Sequence, residues 1–183
     1  MPGRLVIISA PSGTGKTTVT RKFLAAAPDW VRVVTVTTRD PRPEETDGVD
    51  YRFVSRQEFA ALVAKGHLVE HAFVFGNGYG TPRDGILAAW ADGKGAVLVL
   101  DVQGKKQANA LFPDAVTVFL MPPSAEEQER RIRKRGADSE ESVRRRLDEA
   151  KKEMSEAGGY DHILTNDDAD ETARRLSEIL RGP

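Results

Sequence analysis

Residues 5–20 read LVIISAPSGTGKTTVT. Leu5-Val6-Ile7-Ile8 is a short, β-branched apolar run, the pattern of a fully buried strand. Val19 to Ala27 can form a helix, so the small residues between are a strand-to-helix turn. Ala10-Pro11-Ser12-Gly13-Thr14-Gly15-Lys16-Thr17 matches the phosphate-loop pattern G-x-x-x-x-G-K-[ST] except at its first position, where Ala10 stands in place of glycine. The chemistry explains the residue types. Glycines permit positive φ and bring backbone N–H groups close to a phosphate chain. The helix that follows adds the partial positive charge of its N-terminus. Lys16 supplies a mobile full charge for β- and γ-oxygens, and Thr17 a hydroxyl for Mg2+. A glycine-rich connector with a surface lysine is the competing reading.

Outward from this turn, apolar runs alternate with helical stretches. Ala96 to Leu100 and Val116 to Met121 repeat the buried-strand pattern, and His162 to Thr165 is a short last strand. Helices are expected from about Lys105, from Ser124 to Arg135, over Ser139 to Ala157 and over Ala169 to Leu180. This alternation predicts a parallel α/β sheet covered by helices. The middle is different. Val31 to Thr38 is rich in Val and Thr and predicts one strand; RDPRPEETDGVD (39–50) is a loop; Tyr51 to Val54 and Leu68 to Val74 are strands around a helix opened at Ser55 and Glu58. Gly76-Asn77-Gly78 is a tight turn, and a helix covers Arg83 to Ala91. The expected organisation is one domain over 1–183: a core of about 1–34, 96–123 and 158–183, an α+β insertion of about 35–95, and a helical segment of about 124–157.

Composition narrows the function. A net charge of −1 steers no nucleic acid to the chain. The absence of cysteine rules out disulfides and thiolate chemistry and fits a reducing, cytoplasmic setting. No stretch reaches the ~18 apolar residues of a membrane span, and no signal peptide precedes the first strand. His67, His71 and His162 show no metal or catalytic spacing. Nothing in the sequence decides between a monomer and a homo-oligomer.

Beyond the phosphate loop, TVTTRDPRPEETDGVDYRFVS (35–55), VEHAFVFGNGYGTPR (69–83), LDVQG (100–104), RRIRKRG (130–136), VRRRL (143–147) and TNDD (165–168) resemble the guanylate kinase family over about residues 4–181. The resemblance implies a phosphate-loop fold whose insertion binds a nucleoside monophosphate and whose 124–157 segment is a lid. It implies transfer of the γ-phosphoryl group of ATP to GMP, with Mg2+ accompanying ATP and no covalent intermediate. On the donor side it implies ATP binding by Ala10, Pro11, Ser12, Gly13, Thr14, Gly15, Lys16, Thr17 and Thr18, with Arg135 and Asn166. On the acceptor side it implies GMP binding by Thr35, Arg39, Arg42, Tyr51, Glu70, Tyr79, Thr81 and Asp101. The charges expected to serve catalysis are Lys16, Arg39, Arg131 and Arg146.

Physical chemistry supports these positions unequally. A phosphate of about two negative charges needs cations and hydroxyls converging on one point, yet read alone Arg39 and Arg42 fit a solvated proline-rich loop equally well. Guanine presents N1–H and N2–H2 donors on one edge, which one carboxylate accepts together. Glu70 interrupts an apolar strand and shares a face with Leu68 and Ala72, so it either faces a pocket or sits exposed on an edge strand. Asp101 ends a strand, the usual place for a ligand contact in open α/β sheets. The family commonly has a second acid two residues earlier, where this chain has Val99. Asn166 fits a helix N-cap region as well as an adenine contact. Two rivals remain: a phosphate-loop kinase with another acceptor, and a catalytically silent peptide-binding module of similar sequence. Retention of the loop lysine and the 131–146 arginines argues against the second.

Overall fold

The computed structural model describes residues 3–43, 45–74, 76–134 and 140–181. Its residues fall into two compact units, Met1–Leu5 with Asp29–Leu98 and Gln103–Ala115, and Val6–Pro28 with Val99–Val102 and Val116–Pro183.

The second unit carries the opening strand. β1 (Leu5–Ser9) is buried at every residue. It pairs in parallel with β8 (Val116–Met121), Val6 opposite Val116 and Ser9 opposite Phe119. β8 pairs in parallel with β9 (His162–Thr165), Val118 opposite His162. The continuous apolar runs thus became parallel strands, as runs without alternation require. α1 (Lys16–Ala26) packs against α7 (Ala169–Arg181). α1 turns Val19 and Phe23 inward, both with no exposed surface. Burying side chains of this size stabilises by about 1.5–3 kcal/mol each. α5 (Ala125–Lys134) packs against α6 (Glu140–Ser155). Beyond α6, the turn at Ala157–Gly159 closes a small core of Val102, Phe119 and Ala157, with Tyr160 edge-on to Phe119 at 5.0 Å.

In the first unit, β2 (Trp30–Arg32) pairs in parallel with β7 (Gly95–Leu100), Trp30 opposite Gly95. The indole lies where a Gly95 Cβ would be, 2.4 Å from its nearest atom, so only glycine fits. A separate four-stranded sheet has the order β4-β3-β6-β5, from β3 (Val36–Thr37), β4 (Arg52–Phe53), β5 (Leu68–Val74) and β6 (Asn77–Pro82). β3 and β4 are parallel, whereas β6 is antiparallel to both β3 and β5. α2 (Arg56–Ala64) opens with the expected capping box: the Ser55 hydroxyl accepts from Glu58 N–H while the Glu58 carboxylate accepts from Ser55 N–H at 2.8 Å. Phe59 of α2 packs edge-on to Phe73 of β5 at 5.9 Å. α3 (Arg83–Ala91) and α4 (Val102–Leu111) complete the set of elements.

Several boundaries differ from the sequence reading. The single strand expected over 31–38 is two strands in two sheets. Val33 N–H still donates to Val97 at 3.0 Å, while the Thr35 carbonyl already accepts from Arg52 at 2.9 Å. β-Propensity runs unbroken through the segment; hydrogen-bond partners do not. α1 starts at Lys16 rather than Val19, because Gly15 at φ 92° caps it and the polar residues form its first turn. α4 starts at Val102, three residues early. At α5, the Ser124 hydroxyl accepts from Glu127 N–H at 3.2 Å, but the Glu127 carboxylate reaches forward to Arg130 and Arg131. Among the described residues no helix is long and apolar enough to cross a membrane.

Candidate active site

In the second unit, β1 runs into the 10–15 turn and the turn into α1. Gly13 and Gly15 stand at φ 81° and 92°, the left-handed region that side chains avoid. A Cβ on Gly13 would come within 2.9 Å of Ile132, and one on Gly15 within 2.7 Å of Asn166. Both glycines are therefore fixed twice over, by conformation and by space. Lys16 extends from the first turn of α1 and donates to the Leu100 carbonyl at 3.3 Å, at the end of β7. Ser9 hydroxyl reaches the Asp101 carbonyl at 3.5 Å. Thr17 and Thr18 are exposed on the first turn of α1. Thr14 has no exposed surface, and among the described residues its hydroxyl has no hydrogen-bond partner. A buried hydroxyl without a partner is costly.

Around this turn gather residues from three later segments. Asn166, 3% exposed, donates from Nδ2 to the Thr14 carbonyl at 2.6 Å and accepts from Thr172 at 3.1 Å. Arg131 donates to the same Thr14 carbonyl at 3.2 Å and from Nε to Glu127 at 2.7 Å. Gln128, 2% exposed, donates to the Ser12 carbonyl at 2.8 Å. Glu153 of α6 is half-buried. Its carboxyl is pushed up to about 7, chiefly by burial, with Asp101 and Glu149 adding to the rise and Lys16 opposing it. Burial also pushes the Tyr160 hydroxyl up to about 12. Arg146 lies partly buried on α6. Arg135 falls outside the described residues.

The first unit brings together a second set. Thr37, fully buried, donates to the Gly78 carbonyl at 3.0 Å and accepts from Arg39 N–H at 3.2 Å. Thr38 hydroxyl accepts from Gly78 N–H at 2.9 Å. These bonds fasten the start of the 39–50 loop to β6. The Arg39 guanidinium stands 5.4 Å from the Tyr51 ring and donates to both oxygens of Glu45 at 2.8 Å. Burial alone would lower the Arg39 guanidinium, but hydrogen bonds with Glu45 and Tyr79 hold it above its ordinary value. Burial would raise Glu45, yet the Arg42 N–H and Arg39 hold it below the usual carboxylate range. Tyr51 and Tyr79 meet edge-on at 6.1 Å, and burial raises the Tyr51 hydroxyl. Arg42 is exposed.

Glu70 is 5% exposed although β5 is an edge strand, so it is not the solvated residue that an edge position allows. Thr81, 1% exposed and opposite it on β6, donates from Oγ1 to Glu70 Oε1 at 2.7 Å. Thr35 is buried in the same unit. Sequence reasoning missed Glu45, Thr37, Gln128 and Glu153. Glu45 sits in a stretch that reads as solvent-facing loop. Gln128 had one usable signal, its i, i+4 spacing from Ile132 on an otherwise charged helix.

A parallel sheet and a strand-to-helix turn with two left-handed glycines and a lysine at the helix start define a phosphate-loop α/β protein. The family model described as Guanylate kinase matches residues 2–182. The guanylate kinase of Alkalilimnicola ehrlichii is 46% identical over 180 residues, covering 98% of this chain and 89% of that protein. That of Nostoc sp. is 43% identical over 182 residues, covering 100% and 92%. The crystal structure of guanylate kinase from Anaplasma phagocytophilum superposes with a TM-score of 0.81 at 39% identity, covering 98% of this chain and 85% of that one. The chain belongs to the guanylate kinase family, whose members are ATP-dependent nucleoside monophosphate kinases.

Proposed function

We propose that the chain transfers the γ-phosphoryl group of ATP to GMP, giving ADP and GDP for guanine nucleotide metabolism in the cytoplasm. The observation that carries the choice of acceptor is the buried Glu70–Thr81 pair. A carboxylate in this position accepts both donors of the guanine edge, and adenine offers no such pair. Sites built on buried hydrogen bonds reject analogues lacking them by up to ~10⁴-fold. Arg39, Arg42, Tyr51 and Tyr79 would hold the GMP phosphate, with Thr35 and Asp101 completing the acceptor set. The donor set is 10–18 with Arg135 and Asn166. The organisation expected from the sequence goes with this reading: the 35–95 insertion takes GMP and the 124–157 segment closes over ATP.

Mg2+ suits the donor site. The exposed Thr17 hydroxyl is available, and among the described residues the buried Thr14 hydroxyl has no hydrogen-bond partner and no group of three acidic or histidine side chains forms a cage. The Thr17 hydroxyl together with the nucleotide's own phosphates and waters is a set Mg2+ accepts. Thr17 would hold the ion, which when bound neutralises charge on the β- and γ-oxygens. The protein's own part is alignment and charge. A GMP phosphate oxygen attacks the γ-phosphorus in line, and the ADP oxygen leaves. Lys16, Arg39, Arg131 and Arg146 counter the negative charge along that path, and closure excludes the water that would otherwise take the phosphoryl group.

A coupled ADP-release assay with GMP, AMP, CMP and UMP tests this. ADP release with GMP and little with the others is expected; preference for AMP or another acceptor would refute the guanine reading.

A further inference from the structure

α5 contacts the 10–15 turn through Gln128, Arg131 and Ile132, and of its buried residues, Gln128 and Ile132, one is polar. Gln128 and Ile132 share the inner face one helical turn apart, 2% and 0% exposed. A Cβ on Gly13 would strike Ile132 at 2.9 Å and the Gln128 backbone oxygen at 3.0 Å, so the contact is close. An apolar residue would pack there without the cost of burying a carboxamide. Among the described residues, what the carboxamide adds is the bond from Nε2 to the Ser12 carbonyl at 2.8 Å.

That bond acts on the far side of the peptide. In a trans peptide the C=O of one residue and the N–H of the next point in opposite directions. Holding the Ser12 carbonyl toward α5 therefore turns the Gly13 N–H away from α5. The same logic applies one peptide further on, where Asn166 and Arg131 hold the Thr14 carbonyl and so orient the Gly15 N–H. The Pro11 and Gly15 carbonyls are occupied by Thr14 and Val19 N–H at 3.3 and 3.1 Å. Both clamped peptides precede a glycine, which tolerates either sign of φ, so that without the clamp the plane can flip at little cost.

We infer that Gln128 is a positioning residue for the phosphate-binding turn: through the Ser12 carbonyl it fixes the direction in which the Gly13 amide donates. The inference rests on the phosphate-loop part of the proposed function. It assigns to α5 a role in holding the donor nucleotide that does not depend on its arginines.

The test is titration calorimetry of the full chain with a non-hydrolysable magnesium-ATP analogue and, separately, with GMP. Gln128→Met keeps the volume beside Ile132 and removes the donor. Gln128→Glu keeps the shape and sets an acceptor against the carbonyl. Loss of one buried hydrogen bond of ~1 kcal/mol is worth ~5-fold in Kd. The Met variant should raise the Kd for the ATP analogue ~5-fold and the Glu variant more, with the Kd for GMP within twofold of wild type. A merely structural role would lower the melting temperature and leave the ATP-analogue Kd of the folded protein unchanged; that result, or an equal rise in both Kd values, overturns the inference. If the Met variant fails to fold, the Glu variant decides by the same criterion. Wild-type protein that binds the analogue but does not phosphorylate GMP would refute the acceptor reading and leave Gln128 in its role.

Discussion

At the scale of single residues, the two sites separate cleanly by what each side chain can do. In the proposed function Lys16 carries a mobile charge that matters most as negative charge shifts on the moving phosphoryl group. Lys16→Ala should cut kcat by ~10²-fold or more with a small change in KM for GMP, measured by steady-state kinetics. In the proposed function Glu70 instead acts on the bound acceptor. Glu70→Gln replaces a two-fold acceptor with a group that presents one acceptor and one donor to guanine. Loss of charge-assisted hydrogen bonds of ~1.5–3 kcal/mol should raise KM for GMP by roughly 10- to 100-fold and leave KM for ATP unchanged. Glu153 gives a pH signature. Its carboxyl has an ordinary value of 4.5 and is pushed up to about 7 by burial. The folded protein thus holds this proton more tightly than the unfolded chain. Its contribution to stability is complete below pH 4.5 and is lost as pH rises through about 7. Lys16, Asp101 and Glu149 are the charged groups acting on it. Urea midpoints taken from pH 4.5 to 8 should fall more steeply for wild type than for Glu153→Gln. Parallel curves would mean the carboxyl titrates alike in both states.

At the scale of elements, local signals succeeded where the deciding interactions were local. The capping box at Ser55 and Glu58 involves four consecutive residues, and both of its bonds formed. Ser55→Ala should cost ~1 kcal/mol, seen as a fall of roughly 2–4 °C in melting temperature with acceptor kinetics unchanged. The second box failed in its reciprocal half because Glu127 had better partners ahead of it in Arg130 and Arg131. The 31–38 segment shows the limit from the other side. Its Val and Thr residues suit a pleated surface throughout, but a strand exists only with a partner. Val33 pairs with β7 and Thr35 with β4, so one run of propensity serves two sheets.

At the scale of the whole molecule, nucleotide binding should appear as stability. A magnesium-ATP analogue at 100 times its Kd adds ~2.7 kcal/mol to the native state, which raises the melting temperature by roughly 5–10 °C. GMP should do the same independently, and a thermal scan with neither shift would mean that the folded chain binds neither nucleotide. The sequence by itself determined the parallel strands and the glycine-rich turn, because these rest on short-range patterns: apolar runs without alternation, glycines at fixed spacing, one lysine at a helix start; the family followed from the resemblance carried by the middle segments 35–55 and 69–83. The tertiary structure alone decided that Glu70 is buried, that Glu45 grips Arg39, and that Gln128 and Asn166 hold the carbonyls of a turn they reach from more than a hundred residues away. Burial and hydrogen bonding depend on which distant segments fold together, and residue type at one position carries no record of its neighbours in space.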